Sequence, residues 1–119
     1  MTTKTITIGT DYTSVPGGRY IKHGEFSGEH FRETVLVPAL RQCDRVEVFL
    51  DGTKSYMSSF LEEAFGGLIR ERGYKFEDLK NRLSVVSRDP KYSIWQSMVE
   101  QDMRDAADEA AGKKPKRVA

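Results

Sequence analysis

The chain is poor in the residues that carry most recognisable chemistry: one cysteine, two histidines and one tryptophan in 119 residues. Charge of either sign is not in excess, since 19 Lys and Arg stand against 18 Asp and Glu. Each scarcity excludes something. A single thiol, Cys43, cannot close an internal disulfide, so the chain is not a disulfide-stapled scaffold, and a reduced, cytoplasmic setting is expected. His23 and His30, without a cysteine partner, form no metal-ligand set, so neither metal nor cofactor is expected. No apolar run approaches the roughly 20 residues that span a bilayer. The opening MTTKTITIG lacks the apolar core of a signal peptide, so neither insertion nor export is expected. A net charge of +1 gives no global attraction to nucleic acid or to an anionic membrane.

What remains is a chain 38% apolar and 31% charged, long enough for one modest core and too short for two. A single domain is expected over residues 1–111. The end, AAGKKPKRVA, carries Lys113, Lys114, Lys116 and Arg117 among small residues and a proline. Residues 112–119 therefore read as a disordered basic tail, solvated rather than bound to nucleic acid.

Patterning supplies the elements. KTITIG, around Ile6 and Ile8, and GRYIKHG, around Tyr20, alternate like short strands joined by a turn at SVPGG. In SGEHFRETVLVPALRQC, Phe31, Val35, Leu36, Ala39, Leu40 and Cys43 recur at helical spacing, with Ser27 as N-cap and Pro38 kinking the outer side. DRVEVFLDG, with Val46, Val48, Phe49 and Leu50, predicts a buried central strand, and LSVVS, from Leu83 to Ser87, a last one. A strand, helix, strand sequence of this length is a parallel βαβ crossover. PKYSIWQSMVEQDMRDAADEAA, after Pro90, places Ile94, Trp95, Met98, Val99, Met103 and Ala106 on one side of a closing helix. The expected fold is α/β: a small open sheet of about four strands, mostly parallel or mixed, with three main helices in the order β-β-α-β-α-β-α. Whether those helices share one face of the sheet is left open by the pattern.

The helix in SYMSSFLEEAFGGLIRERG poses the sharpest question. Projected at about 100° per residue, Phe60, Leu61, Ala64, Phe65, Leu68 and Ile69 fill one half. Ser59, Glu62, Glu63, Gly66 and Arg70 fill the other, with Gly67 at the edge. Ser59 and Glu62 have the spacing of a capping box. Two glycines inside a helix cost about 1 kcal/mol each relative to alanine, and that cost demands a close approach, a bend, or a docking face for a partner.

The strand VEVFLDGT, a loop, paired serines at a helix start and a Leu-rich helix with small residues together resemble the core of STAS domains, the fold of bacterial anti-sigma-factor antagonists. GRYIKHGEFSGEHFRE, VPAL and SSFLEEAFGGLIR resemble more closely an uncharacterised bacterial family of STAS-like proteins, over about residues 5–90. The antagonist resemblance implies a non-enzymatic regulatory domain that docks on a histidine-kinase-type ATPase or an anti-sigma factor. It implies phosphorylation at Ser59, with Ser58 as the preceding candidate. The docking face it implies comprises Ser58, Ser59, Glu62, Glu63, Gly66, Gly67 and Arg70. Antagonists usually carry Asp before the serine pair and Gly after it, where this chain has Met57 and Phe60.

The remaining candidates are fewer. Glu25, His30 and Arg32 near the first helix suggest the alternative, a small ligand-binding module or enzyme. Arg32, projecting onto the apolar half of its helix, is expected in a salt bridge at the rim of the core. Tyr92 and Trp95 read as core. The glycines of VPGGRYIKHGEFSGE lack dinucleotide or P-loop spacing and read as turn residues.

Overall fold

Three strands, none long enough to stand alone, are brought side by side by helical crossovers in the computed structural model, which describes residues 2–112. They are β1 (Thr3–Thr7), β2 (Arg45–Phe49) and β3 (Leu83–Val86), all parallel, in the order β1-β2-β3. In-register residues of parallel strands point to the same side. Ile6 lies beside Val48 and Val48 beside Val85, while Val46 lies beside Leu83. With Ile8 and Leu50 just beyond the strand ends, these side chains form one apolar face. Thr5, Glu47 and Ser84 share the other face, followed by Thr7, Phe49 and Val86.

Right-handed crossovers that step across a sheet in one direction place their helices on the same face. The first crossover is α1, residues 28–42, whose α-helical ends Gly28–Phe31 and Val37–Gln42 flank a wider π-type turn over Arg32–Leu36. The second holds α2, residues 58–70, with a matching π-type turn over Glu62–Gly66, and α3 (Phe76–Arg82). α4 (Ser93–Ala110) then packs against α2. Phe31, Phe60, Phe65, Leu36, Leu61 and Leu68 are fully buried between helices and sheet. Each such side chain contributes about 1.5–3 kcal/mol of transfer free energy. The opposite sheet face carries no helix among the described residues. It stays polar through Thr5 and Ser84, and the Arg88 guanidinium lies 3.6 Å above the Phe49 ring centroid.

Several expectations hold and several change. Ser27 caps α1, its Oγ accepting from the His30 amide at 3.1 Å. Pro38 is the second residue after the π-type turn, so Thr34 O, the acceptor its missing N–H would have used, lies within that turn. Among the described residues the sheet has three strands rather than four, because GRYIKHG is not a strand. Its core is a single 3₁₀ turn, Ile21–His23, and its carbonyls turn elsewhere: Gly18 O and Arg19 O accept the first amides of α1, Gly28 and Glu29, at 2.9 Å each. Those bonds satisfy helix donors that a strand could not reach. α3 was not anticipated, because Phe76 and Leu79 are too few to show a period. The buried side of α4 comprises Val99, Asp102, Met103, Asp105 and Ala106, while Ile94 is exposed. The basic tail predicted from residue 112 lies, from residue 113 onward, outside the described residues.

Candidate functional site

The loop over residues 50–57, between β2 and α2, is held from three sides. The Tyr56 hydroxyl donates to Leu50 O and the Tyr92 hydroxyl to Thr53 O, each at 2.6 Å. Burial pushes the Tyr56 phenol above its ordinary range. The Asp51 carboxylate accepts from the amides of Arg88 and Asp89, both at 2.9 Å. Burial pushes that carboxyl up, but the amides and the Arg88 charge outweigh it and hold it below the usual range. Gly52 takes φ +88, open to glycine, and a side chain at Gly9 would overlap its backbone.

This rigid loop delivers Met57, Ser58 and Ser59. Met57 is the N-cap of α2, without a side-chain cap, and is 54% exposed. Ser58 is exposed and Ser59 half-buried. The capping box expected from Ser59 and Glu62 is therefore absent. The Glu62 carboxylate instead takes Arg70 at 2.7 and 3.1 Å and also pairs with Arg19. Two guanidinium partners bind a carboxylate more strongly than one backbone N–H does. Burial pushes the Glu62 carboxyl up, and Arg70 and Arg19 overcome it and hold it below the ordinary value. The same pairings outweigh desolvation at Arg19 and Arg70 and raise both guanidinium pKa values.

One turn further on, α1 and α2 share a buried charge. Arg32, 4% exposed, places Nη1 at 2.6 Å from Glu63 Oε2 and 2.8 Å from Glu63 O; Glu63 is 2% exposed. This is the salt bridge foreseen for Arg32, with its partner now identified. Arg70 and Arg19 reach the other Glu63 oxygen at 3.1 and 3.2 Å, and Arg32 Nε also holds Glu33 at 2.8 Å. The glycines make this seam possible. A Cβ on Gly67 would overlap the Arg32 guanidinium, and one on Gly28 would overlap Phe60 O. A Cβ on Gly66 would meet the Glu62 carboxylate at 2.6 Å and Asp102 O of α4 at 3.4 Å.

Of the residues assigned to a docking face, Glu63, Gly66 and Gly67 are thus buried inside the fold, Glu62 is half-buried in ion pairs, and Ser58 and Arg70 are exposed. The glycines were projected on or beside the solvent side, and that placement is corrected. The first helix covers one flank of α2 at Glu63 and Gly67, and α4 approaches the other at Gly66, so these positions are buried by neighbouring helices that the projection of a single helix does not include. The alternative set comes together only in part, since Glu25 and His30 both lie near Tyr12 while Arg32 turns to Glu63. Glu25 is exposed on its loop, Arg32 is committed to Glu63, and His30 Nδ1 faces the Tyr12 hydroxyl at 2.6 Å. Burial and the nearby Glu25 charge push the Tyr12 phenol up to about 12.

What does converge at the α2 entrance is a shallow, mostly apolar basin lined by Gly18, Arg19, Tyr20, His23, Met57 and Ser59. Sequence patterning singled out only Ser59 of these as a site residue. Tyr20 and its neighbours looked like a strand, and the signal that could have separated them is the Gly-rich flank on both sides. Among the described residues, no group of three or more His, Cys, Asp or Glu is placed to hold a metal. No helix among the described residues is long and apolar enough to cross a membrane.

Residues 27–92, more than half the chain, match the model of a family described as STAS-like domain of unknown function (DUF4325). The chain belongs to this STAS-like family. No curated protein and no solved structure matches it. The matched STAS-like segment opens on Ser27, the cap of α1, and closes on Tyr92, which pins the loop before α2. It contains the Arg32–Glu63 seam and the serine pair. Arg19, Tyr20 and His23 lie outside it, so one wall of the basin is STAS-like and the other is supplied by the preceding segment.

Proposed function

We propose that this STAS-like chain is a cytoplasmic, non-enzymatic regulatory domain that acts by protein–protein contact at the entrance to α2. Its partner is a kinase-type ATPase or an anti-sigma factor, and phosphate on Ser58 or Ser59 ends the contact. The observation that carries the reading is the entrance itself: a loop fixed by Tyr56, Tyr92 and Asp51 presents Met57 and two serines whose hydroxyls do not cap the helix. A rigid presentation lowers the entropy lost on docking. Glu63, Gly66 and Gly67 support the face from behind, whereas Met57, Ser58 and Ser59 touch the partner.

A phosphate here would add about 1.5–2 negative charges at a helix start, where the free amides and the helix dipole favour it. It would crowd the contact surface and repel an acidic partner. Intact-mass measurement of protein from the native host is expected to show a phosphorylated fraction mapping to Ser58 or Ser59. In pull-downs from the same host, Ser58→Glu and Ser59→Glu are expected to lose the partner retained by Ser58→Ala and Ser59→Ala. Equal capture by all four variants, with neither serine modified, would sink the switch.

A further inference from the structure

The two edges of the sheet are not alike. Neighbouring residues of a strand turn their amide and carbonyl groups to opposite edges, so the bonds between strands identify the residues that face outward. On β1, Thr2 O accepts the Arg45 amide at 3.0 Å, which commits the even-numbered residues to β2 and turns Thr3, Thr5 and Thr7 outward. That edge is guarded. The Asp11 carboxylate takes the Thr7 amide at 2.7 Å, and Lys4, in register with buried Val46, sets an exposed charge on the helix side of the edge strand. A charge placed this way keeps a further strand from adding.

On β3 the same reasoning gives the opposite result. Val86 O accepts the Leu50 amide at 3.0 Å, so Ser84 and Val86 serve β2 while Leu83, Val85 and Ser87 face outward. The Leu83 amide is taken by Leu79 O at the end of α3. Among the described residues, the Val85 amide and carbonyl take no hydrogen-bond partner. The strand itself, LSVV, carries neither charge nor proline. Beside it, between α3 and α4, lies an open groove of about 150 Å³ whose apolar lining is Phe76, Leu83, Val85, Val99 and Met103. A cavity of about that size holds a group as large as benzene, comparable to one leucine side chain.

We propose that the outer edge of β3 receives an extended segment of another protein, which adds as a fourth, antiparallel strand and places one leucine- or valine-sized side chain in the groove. An extended backbone presents an N–H and a C=O at the spacing of those on Val85. The residue opposite Val85 in an added strand points to the same side of the sheet as Val85, which is the side of the groove. Charge does not choose the occupant: Lys80 and Glu100 line the groove from different helices, and Glu100 is held by Arg104 at 3.0 Å. A nucleic acid would need a basic track, whereas the charges here are of both signs. A second copy of this chain would set Val85 against its counterpart. Since Val85 already lines its own groove, neither groove would gain the side chain it has room for. The groove and the α2 entrance share no lining residue, so this surface is separate from the serine switch.

The test uses the isotope-labelled full chain and a seven-residue peptide of threonines with leucine at its centre. In the free protein the Val85 amide is expected to exchange with deuterium oxide about tenfold faster than the amides of Ser84 and Val86. The peptide is expected to slow Val85 exchange and to move the amide shifts of Val85, Ser87, Gln96 and Met103, leaving Gly18, Met57 and Ser59 in place. Methylating the backbone nitrogen of the central leucine removes the donor to Val85 O, and shortening that leucine to alanine empties the groove. Each change is expected to weaken binding about tenfold. Val85→Lys, which gives β3 the kind of charge that guards β1, is expected to abolish binding, and the two altered peptides keep the test decisive should that variant fail to fold. A Val85 amide as protected in the free chain as that of Val86 would overturn the proposal. So would no response at about 1 mM peptide, equal binding of the three peptides, shifts confined to another surface, or self-association that slows Val85 exchange without peptide. The two readings fail separately. If Ser59→Glu loses its partner while no peptide binds at Val85, the edge is eliminated and the serine switch stands. If the leucine peptide binds at Val85 while Ser58→Glu and Ser59→Glu leave capture unchanged, the switch is eliminated and the edge stands.

Discussion

The body of α2 and its entrance lie one helical turn apart and differ in almost every respect. From Phe60 to Ile69 each residue except Glu62 is buried, and the charges there are tied to partners on α1, on the preceding loop or within α2. Two residues earlier, Met57 and Ser58 are exposed and their side chains are tied to nothing within the helix. The difference separates two roles that a helical projection merges. Glutamates and glycines in the body belong to the joint between α1, α2 and α4. Met57 and Ser58, at the first turn, are exposed, and the proposed docking places the partner there.

Breaking the body should cost most. Arg32→Ala would strand Glu63 in a buried site and is expected to destabilise the fold by about 3–5 kcal/mol in chemical denaturation. A loss under 1 kcal/mol would mean that water or Arg19 and Arg70 suffice for Glu63. Gly28→Ala forces a methyl group against the backbone of α2 at Phe60 and Ala64. It should cost about 1–3 kcal/mol, and a neutral result would show that the two helices separate freely.

The boundary between the regions runs through Glu62, whose effect depends on pH. Its folded pKa is depressed, so its stabilisation is complete above the ordinary carboxylate range and is lost as pH falls through the folded value. The stability gap between the wild type and Glu62→Gln should therefore narrow as pH falls from about 7 to about 3. A gap that widened on acidification would refute the assignment.

Smaller effects sharpen the contrast. At Gly66 the added methyl overlaps only the movable end of Glu62 and touches Asp102 O of α4 at 3.4 Å, an ordinary contact distance, while alanine gains about 1 kcal/mol of helix propensity over glycine. Gly66→Ala is therefore expected to fall within about 1 kcal/mol of wild type, unlike Gly28→Ala. Ser58→Glu, at the exposed entrance, should change stability by no more than about 0.5 kcal/mol in the same denaturation assay. Any loss of partner in that variant then reports docking rather than unfolding.

The sequence revealed the elements whose hydrophobic period was long or β-rich. Val46, Val48 and Leu50 marked the central strand, and the stripe from Phe31 to Leu40 marked α1. It was least informative where polar atoms did the structural work. Arg32 could be placed at the rim of the core, but Glu63, thirty-one positions away in the chain, could not be named as its partner. The Tyr20 segment had the alternation of a strand, yet its backbone was needed to cap α1, and no local rule registers that demand. Ser59 was found as a helix-start residue, while Arg19, Tyr20 and His23 became its neighbours only when the segment before α1 folded over the entrance.

The strand order has a kinetic consequence. Each strand pair in the sheet bridges an entire helical crossover, so no two strands can close as a hairpin and none of the ladder can form locally. The entropy of closing one long loop must be met before the first inter-strand bond is made, and that of a second before the sheet is complete. The contact between α1 and α2 at Gly28 joins the two crossovers across β2, so forming it early lowers the entropy cost that remains for the sheet. It should therefore form on the way to the sheet rather than after it, and Gly28→Ala should slow refolding more than it speeds unfolding in a stopped-flow comparison.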